Sequence, residues 1–542
     1  MLSLLRQPDA VFGATETTPF RFEEDGINDV QYEYVVGKDS AKVIVYPSGS
    51  PVKYLKLRFC GDLQDVEKVF GDQWERVGHG ANFTYIEWKA VMPFRPLPWF
   101  CHVMVDKKVD SYGVKTGGDA FVFFQVDNDG ITVFVNLCNG NDGTDLQEPI
   151  LACEIIQREG KVGEDPYFAA QAFAKQLCEN PVLPKEPIFG VNNWYWAYGN
   201  ISHEIVMEET DHLIRLTQGC VHRPYMIIDE GWQIHREMLD TPASNGGPWI
   251  GNSRFPNLKH TVDEIHRKGA KAGIWFRPLL SSEPPENPEA LLSKESHGYL
   301  LDPSHPYTLQ YVENVAKTIT QEWGFDLLKH DFSVIDSTGR NNFSADYFDH
   351  ELCKSDRKFF DKTKTTATIL KNLCKAIQRG AGNKDVIACN TIGHLTAGIH
   401  SVYRTGADTS GRCFEWTRRD GGNSLMRLPL NRALYLTDPD CAPFTERVKF
   451  ETNLQFLEMC AITGQTVLAS IKPGLLNEEQ MEKVRQIFLL ADRHTPADDY
   501  GIVGFDRTSC PERFVSPDGK TEKRFRWSDT YNGSRVVLTW YD

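Results

Sequence analysis

The chain has 542 residues, of which 41% are hydrophobic and 25% are charged, as is typical of globular proteins. Its 59 basic and 74 acidic residues give a net charge of −15, which argues against binding to nucleic acid or to an anionic membrane surface. Because this length exceeds one ordinary hydrophobic core, we expect two or three domains.

Targeting signals and metal motifs are not expected from the sequence. No apolar run approaches the roughly 18 residues of a membrane span, and the start MLSLLRQPDAVFG lacks the apolar stretch of a secretory signal. The 13 cysteines are scattered and form no Cys-x-x-Cys pair. We therefore expect reduced thiols in a cytoplasmic protein, with no cofactor and no metal site. A homo-oligomer is compatible with the sequence.

The first 180 residues have the pattern of β-structure. Runs rich in β-branched and aromatic residues alternate with turn residues at 43–49, 54–61, 83–93, 99–106, 120–126 and 131–137. The last two runs flank a turn ending in Asp129-Gly130, which is suited to positive φ and predicts a hairpin. A helix is predicted over 166–180. We expect residues 1–180 to form an antiparallel β-sandwich domain.

The proline-rich segment 181–187 marks a boundary, after which the pattern changes. Apolar runs of strand length alternate with amphipathic segments such as 208–218 and 261–269. The eight strand candidates are 188–196, 225–232, 272–280, 325–333, 386–390, 401–408, 434–440 and 465–470. They predict a (β/α)8 barrel over 181–495, whereas the rival doubly wound sheet would have a glycine-rich phosphate loop after its first strand.

The last residues, 496–542, return to β-like patterns. The runs GIVGFD, KRFRWSD and SRVVLTWYD predict a small C-terminal β domain. The expected architecture is therefore a β-sandwich, a central TIM barrel and a short β domain.

Polar residues follow nearly every predicted barrel strand. They are Asp229, Glu230, Arg277, Lys329, Asp331, Asn390, Arg404, Asp408, Asp438 and Asp440. In a parallel barrel the carboxyl ends of the strands surround the active site. Trp194, Trp196 and Trp232 lie beside them in the sequence, and rings together with carboxylates are suited to binding a sugar. The alternative is that strand ends simply meet polar loops.

Two of these carboxylates are suited to act as the catalytic pair of a glycosidase. Asp331 shares a strand face with Lys329, whose ammonium favours the ionised carboxylate that a nucleophile requires. Asp408 is the candidate proton donor. Arg404 would lower its pKa, so we assign Arg404 to a substrate hydroxyl or to Asp331. Alternatively, Asp331 forms a structural ion pair with Lys329, and Asp408 caps a helix.

The remaining polar residues receive structural interpretations. Asp438 and Asp440 are expected to hold their loop or Arg404, and Asn390 to bind a hydroxyl group. His330 should point away from the side that carries Asp331 and pack in the core. His394 and His400 lack the spacing of metal ligands.

Four motifs occur in order along the barrel. They are Asp229-Glu230-Gly231-Trp232, Lys329-His330-Asp331, Arg404-Thr-Gly-Ala-Asp408 and Asp438-Pro439-Asp440. Over residues 189–441 this set resembles the α-galactosidases of glycoside hydrolase clan D, families 27 and 36, and family 36 more closely. The resemblance implies that Asp331 is the nucleophile, that Asp408 is the acid/base, and that Asp229 and Glu230 bind sugar hydroxyls.

The sequence departs from the family at several points. Glu230 replaces an aspartate, and Trp275-Phe276-Arg277-Pro278 stands where the family has Trp-x-Glu-Pro. The glycine-rich cysteine loop after strand 5 is replaced by Cys389-Asn390-Thr391. These changes leave the catalytic pair in place and bear on the identity of the sugar.

The expected activity is that of a retaining exo-α-glycosidase, with α-galactosidase as the first choice, acting by double displacement on oligosaccharides or α-glycosides. Other specificities remain open, namely α-glucoside or α-N-acetylgalactosaminide, as does sugar transfer by an enzyme of the same clan. A non-catalytic sugar-binding protein is the alternative from another class.

Overall fold

The computed structural model describes residues 1–18, 28–76, 86–93, 95–234, 245–340, 353–507 and 510–526. Of the helices in these ranges, none combines the length and the apolar character needed to cross a lipid bilayer.

Two antiparallel sheets form the N-terminal part of the chain, as the sequence predicts. The first has the strand order β1-β4-β10-β9-β6 and the second β2-β3-β11-β8-β7-β5. The strands are β1 (Ala10–Thr15), β2 (Tyr32–Val36), β3 (Ala41–Val45), β4 (Val52–Cys60), β5 (Lys68–Gly71), β6 (Leu97–Pro98), β7 (Phe100–Val105), β8 (Lys108–Val114), β9 (Phe121–Asp127), β10 (Gly130–Asn136) and β11 (Ile150–Arg158).

The predicted hairpin is β9–β10, in which Gly130 pairs with Asp127. Gly130 is the first residue of β10, with φ of +147°. A Cβ there would come within 2.1 Å of the carbonyl oxygen of Phe59 on the neighbouring strand. Glycine is therefore required at this position by close strand contact as well as by the turn.

The central sheet consists entirely of parallel pairs, in the order β21-β20-β19-β18-β14-β13-β12-β23-β22. Its strands are β12 (Phe189–Asn192), β13 (Tyr225–Ile228), β14 (Lys271–Phe276), β18 (Leu327–His330), β19 (Asp385–Ala388), β20 (Val402–Arg404), β21 (Leu436–Asp438), β22 (Cys441–Phe444) and β23 (Val467–Ile471). The two edge strands, β21 and β22, are separated only by Pro439 and Asp440. The sheet therefore closes on itself through this segment, as an eight-stranded barrel with a divided seventh strand.

Helices alternate with the barrel strands, and α1 precedes them. They are α1 (Pro166–Leu177), α2 (Trp194–Ala197), α3 (His203–Leu216), α4 (Leu258–Lys268), α5 (Pro306–Lys317), α6 (Ser333–Thr338), α7 (Thr366–Ala381), α8 (Gly393–Thr396), α9 (Phe414–Met426), α10 (Phe450–Ile462) and α11 (Glu478–Arg493). Polar side chains accept hydrogen bonds at several N-termini, including Ser202 at α3 and Asn477 at α11. These caps explain why α3 begins five residues before the predicted segment 208–218.

The barrel strands are buried on both faces, which explains why they lack alternation. Side chains such as Ile227, Leu327 and Leu468 fill the barrel interior. Neighbours such as Ile228 and Leu328 belong to the larger core that includes the helix layer.

Two smaller sheets complete the described structure. An antiparallel sheet of β15 (Leu280–Ser281), β16 (Leu291–Glu295) and β17 (Gly298–Leu301) follows β14 and was not predicted from the sequence. A second, of β24 (Gly501–Ile502), β25 (Arg513–Val515) and β26 (Glu522–Arg524), agrees with the predicted C-terminal β structure. The predicted run SRVVLTWYD lies outside the described residues. From these sheets we infer domain boundaries near residues 180 and 495.

The segment that follows β5 leaves the sandwich and lies on the barrel. Arg427 Nε donates to Asp72 Oδ1 at 2.7 Å, and its Nη2 donates to the Glu75 carbonyl at 2.5 Å. The ring of Trp99 stacks on His394, with 4.4 Å between centroids and 9° between planes. These contacts bring residues 72–76 to the carboxyl ends of the barrel strands.

Candidate active site

Asp229 and Lys329 form a buried ion pair at the carboxyl ends of β13 and β18. Lys329 Nζ lies 2.7 Å from Asp229 Oδ2, and Asn192 Nδ2 donates to the same oxygen at 2.7 Å. The backbone N–H of Glu230 donates to Asp229 Oδ1 at 2.9 Å. Burial lowers the pKa of Lys329, but nearby acidic groups, of which Asp229 has the largest effect, together outweigh it and raise that pKa. Lys329 thus makes its direct contact with Asp229, across the mouth, while its charge also interacts with Asp331, the charge partner expected from the sequence.

Asp331 lies one residue beyond β18 and is 9% exposed. Trp275 Nε1 donates to its Oδ2 at 3.2 Å, and the N–H of Phe332 donates to its Oδ1 at 2.8 Å. Phe332 has φ of +63°, an uncommon conformation for a residue other than glycine. The two donors fix the orientation of the carboxylate at the barrel mouth.

Asp408 lies four residues beyond β20, and its side chain is 54% exposed. Arg404 Nη2 lies 3.0 Å from Asp408 Oδ1 and 2.5 Å from Asp440 Oδ2. Asp440 also accepts hydrogen bonds from the Tyr195 hydroxyl and from the backbone N–H of Thr409. Asp440 thus holds Arg404, as predicted, whereas Arg404 contacts Asp408 instead of the expected Asp331.

The sequence reasoning missed Arg76, a residue of the N-terminal part that reaches this cluster. Arg76 Nη1 lies 2.9 Å from Asp408 Oδ1, and the Arg76 side chain is 9% exposed. The neighbouring Glu75 is fully buried, and its Oε1 lies 3.3 Å from Arg76 Nε. A signal was present in the sequence, because Asp72-Gln73-Trp74-Glu75-Arg76 sets charges beside a tryptophan directly after Lys68–Gly71, a strand that was not among the predicted runs.

Asn390 connects this segment to the barrel. With its amide oriented to satisfy both neighbours, Asn390 donates to Glu75 Oε1 at 2.9 Å and accepts from Arg76 Nη2 at 3.1 Å. Arg76 Nη1 also lies 3.5 Å from Cys389 Sγ. Asn390, which is fully buried, therefore contacts the N-terminal segment, in place of the direct hydroxyl binding expected from the sequence.

Arg277 and Glu230 lie at the same mouth. Arg277 Nε and Nη2 donate to the two oxygens of Asp336 at 2.8 and 2.6 Å, and its guanidinium lies 4.2 Å from the centre of the Phe332 ring. Arg277 therefore braces the residue that positions Asp331. Glu230 is 7% exposed and directly follows the Asp229–Lys329 pair.

The three predicted tryptophans differ in their surroundings. Trp232 has no exposed surface, and its Nε1 donates to the Trp275 carbonyl at 2.9 Å. The expectation that Trp232 contacts substrate is therefore corrected, since its ring is enclosed by other aromatic side chains. Trp196 donates to Glu209 at 2.8 Å and packs on the outer core. Trp194 is half-buried above the barrel interior, where its ring meets Tyr198 edge-on.

At the barrel mouth, charge and burial shift the pKa values of Asp408 and Glu75 in opposite directions. Desolvation raises the pKa of Asp408, but Arg76 and Arg404 outweigh it and hold that pKa well below its usual range. Water at this exposed carboxylate screens the charges without reversing their effect. Burial raises the pKa of Glu75 to about 7, although Arg76 opposes the rise. Near neutral pH the mouth therefore holds an ionised Asp408 beside a glutamate that is close to its titration point.

A cavity of about 870 Å3 lies at the opposite end of the barrel. Tyr225, Lys271 and Asp385, the first residues of three strands, contribute to its lining together with Asp326. Barrel enzymes place their chemistry at the carboxyl ends, so we assign the site to Asp331, Asp408 and their neighbours.

The known proteins that match segments of this sequence are α-galactosidases. No family model matches this chain. It is 32% identical over 139 residues to α-galactosidase Mel36A of Lactobacillus acidophilus, a match that covers 24% of this chain and 17% of that protein. It is 24% identical over 243 residues to α-galactosidase 1 of Pediococcus pentosaceus, covering 42% of this chain and 31% of that protein. The matched segments span less than a third of either relative.

Solved structures match over far more of the chain. TtGalA, an α-galactosidase of Thermus thermophilus solved with p-nitrophenyl α-D-galactopyranoside, superposes with a TM-score of 0.60 at 14% identity, covering 93% of this chain and 100% of that chain. The α-galactosidase of Lactobacillus brevis gives 0.62 at 15% identity, covering 90% and 69%. The GH36 α-galactosidase AgaA of Geobacillus stearothermophilus gives 0.58 at 14% identity, covering 90% and 71%. In matched segments of sequence and in overall fold, this chain is thus similar to the family 36 α-galactosidases.

Proposed function

We propose that this chain is a retaining exo-α-galactosidase that hydrolyses terminal α-linked galactose from oligosaccharides or simple α-glycosides. The observation that carries the proposal is the placement of Asp331 and Asp408 just beyond the carboxyl ends of two strands, β18 and β20, of one closed barrel. The named α-galactosidases with the same fold support it, among them TtGalA, which was solved with stachyose as well as with an aryl galactoside.

In the proposed mechanism, Asp331 attacks the anomeric carbon while Asp408 delivers a proton to the departing oxygen. Trp275 and the backbone of Phe332 hold the attacking carboxylate in place. Asp408 then removes a proton from water, which hydrolyses the β-linked glycosyl-enzyme. Retention in this scheme requires the two carboxyl groups to stand about 5–5.5 Å apart when substrate is bound, against about 6.5–9.5 Å for inversion.

Asp408 meets a specific demand in the first step. A proton donor must be protonated when the glycosidic bond breaks, yet Arg76 and Arg404 favour its ionised form. We infer that bound substrate excludes water and separates Arg76 from Asp408, which would raise the pKa of Asp408 for the proton transfer.

Sugar binding in this proposal falls to the group around Asp229. The Asp229 carboxylate is held by Lys329 and Asn192, and Glu230 follows it at the same rim. Trp194 supplies the half-buried ring beside the barrel interior. The free state of all 13 cysteines supports our inference of a cytoplasmic location.

The proposal is tested with a panel of aryl α-glycosides in the galacto, gluco, N-acetylgalactosamino and arabino series. We expect turnover of the α-galactoside to exceed the others, and NMR to detect α-galactose as the first product. Asp331→Asn should lower kcat by at least about 10³-fold while the melting temperature stays within a few degrees. A first product of β configuration, or activity retained by Asp331→Asn, would contradict the mechanism.

A second specificity is favoured by one observation, the presence of Glu230 and of the Arg277–Asp336 pair where the family motifs differ. If these residues reshape the sugar subsite, the same panel will show preference for the gluco or the N-acetylgalactosamino substrate. Reaction with excess acceptor sugar, followed by product analysis, separates hydrolysis from transfer and from binding without turnover.

A further inference from the structure

A cluster of potential metal ligands lies behind the strand that carries Asp331. His330, Cys374 and His400 present one nitrogen, one sulfur and one nitrogen atom, all within 4.8 Å of one another. Each of these residues is at most 1% exposed. Because side chains alternate along a strand, His330 points away from the barrel mouth, toward α7 and the chain that leads into β20.

The protonation of His400 follows from its neighbour Gln378. Gln378 Nε2 donates to the carbonyls of Gly382 and Lys384 at 3.0 and 3.2 Å, so its Oε1 faces the histidine. His400 Nδ1 lies 3.0 Å from this oxygen, which can only accept. The proton of neutral His400 is therefore on Nδ1, and its buried Nε2 carries a lone pair that has no hydrogen-bond partner among the described residues.

His330 has a similar arrangement. Its Nδ1 lies 3.0 Å from Ser333 Oγ, and its Nε2 also lacks a partner in the described part of the chain.

Two histidine rings this close could satisfy each other by one Nε2–H···Nε2 hydrogen bond. The ring centroids are 5.1 Å apart, yet both Nε2 atoms are unpartnered. Each buried polar atom without a partner costs free energy, because it has lost its hydrogen bond to water. A shared cation would satisfy both nitrogens at once.

We propose that His330, Cys374 and His400 form a binding site for a d10 cation, Zn²⁺ or Cu⁺. Two imidazole nitrogens and a thiolate are ligands that both ions accept. The ligand atoms now lie up to 4.8 Å apart. To form bonds of about 2.0–2.3 Å to one ion, they must approach one another by roughly 1 Å. Binding releases the Cys374 thiol proton to solvent, since the thiolate is the ligand. Gln378 and Ser333 contact the Nδ1 atoms of His400 and His330 and so orient the two rings, as residues next to metal ligands commonly do.

The site would join three separate segments. His330 immediately precedes Asp331, Cys374 lies in α7, and His400 lies two residues before β20, which carries Arg404. The metal would therefore link β18 and β20, the strands that precede the proposed catalytic residues, on the side opposite the sugar. Its effect would be on the stability of the folded protein.

Metal content of untagged protein, measured by inductively coupled plasma mass spectrometry, tests the proposal. After expression with added zinc and copper salts, we expect about one equivalent of Zn or Cu per chain. Cys374→Ser should retain less than about a tenth of that amount, because a hydroxyl is a poor ligand for these ions. Cys460→Ser, a change at another buried cysteine, is the matched control and should keep its metal.

A second measurement covers the case in which Cys374→Ser folds poorly. Wild-type protein stripped with a chelator should gain thermal stability when Zn²⁺ or Cu⁺ is restored, and Co²⁺ should produce a thiolate-to-metal absorption band. His400→Gln should abolish both responses. Only trace metal in wild type after incubation with both ions, or equal metal in wild type and Cys374→Ser, would overturn the proposal. These readouts do not depend on the proposed glycosidase activity.

Discussion

Arg76 Nη1 lies 2.9 Å from Asp408 Oδ1, although 332 positions separate the two residues in the chain. The arginine comes from the N-terminal, sheet-rich part and the aspartate from the rim of the barrel. This contact makes the N-terminal part a component of the candidate active site.

Removing the Arg76 charge should change the pH dependence of the proposed reaction. In Arg76→Met the Asp408 carboxylate loses one of two guanidinium partners, so its pKa should rise and the proton donor should remain protonated to higher pH. We expect the basic limb of the kcat/KM profile for an aryl α-galactoside to move upward by about one pH unit. Arg412→Met, an exposed change at an arginine that stacks on Tyr198, serves as control. An unmoved basic limb would show that Arg76 does not set this titration.

Replacing Glu75 by glutamine should alter stability as a function of pH. Burial raises the pKa of folded Glu75 from 4.5 to about 7. Such a group favours the folded state most below pH 4.5, and its contribution is lost as pH rises through 7. Relative to wild type, Glu75→Gln should become more stable between pH 5 and 8, by up to about 3 kcal/mol.

Melting temperatures of Glu75→Gln and wild type, measured at pH 5, 6, 7 and 8, check this expectation. Glutamine can still accept the Asn390 hydrogen bond that Glu75 Oε1 receives. Glu67→Gln, a change at the exposed glutamate just before β5, is the control. Its melting temperature should differ from that of wild type by the same amount at every pH. A constant difference for Glu75→Gln as well would refute the assignment.

Breaking the Asp229–Lys329 pair should be costly. Lys329→Met leaves a carboxylate buried beside Asn192 without its ammonium partner, and such losses typically cost about 3–5 kcal/mol. Chemical denaturation measures the change. The double variant Asp229→Asn with Lys329→Met should lose less than the sum of the single variants, because no unpaired charge remains. Additive losses would indicate that the pair is not coupled.

Glu230 should contribute to recognition of the sugar. If its carboxylate accepts substrate hydroxyl hydrogens, Glu230→Gln should weaken a charged hydrogen bond worth about 1.5–3 kcal/mol. We expect kcat/KM for the α-galactoside to fall about 10- to 100-fold, with folding unchanged. Glu283→Gln, at a more exposed glutamate of the loop after β14, is the control, and an unaltered kcat/KM for Glu230→Gln would remove Glu230 from the subsite.

Much of the barrel is predictable because its information is local. Each of the eight apolar runs became a strand, since continuous hydrophobicity bounded by polar residues is typical of parallel strands buried on both faces. The positions of Asp331 and Asp408 beyond the carboxyl ends of β18 and β20 were predictable for the same reason, because strand ends can be read from the chain.

The partners of those residues were harder to predict. Lys329 was expected to pair with Asp331, two positions away, because i and i+2 share a strand face. Its side chain instead spans the barrel mouth to Asp229. Asn390 and Arg404 were expected to meet substrate or Asp331, and they contact Glu75, Arg76, Asp440 and Asp408. A long side chain can reach several charged groups. Only the closed barrel determines which of those groups lie close enough to pair with it.

The same limit applies to His330, Cys374 and His400. Their spacing along the chain matches no metal motif, and from the sequence we expected no metal site. Packing of α7 against β18 and the loop before β20 gathers the three donor atoms.

The sequence by itself determined the order of strands, the approximate extent of the barrel and the carboxylates at its rim, because hydrophobic pattern and strand ends depend on neighbouring residues. Only the tertiary structure decided which charges meet. Arg76 reaches Asp408, and Glu75 reaches Asn390, because the N-terminal sheets pack on the barrel mouth. Electrostatic interactions act through distances in space, and in this protein those distances are set by segments more than 300 residues apart.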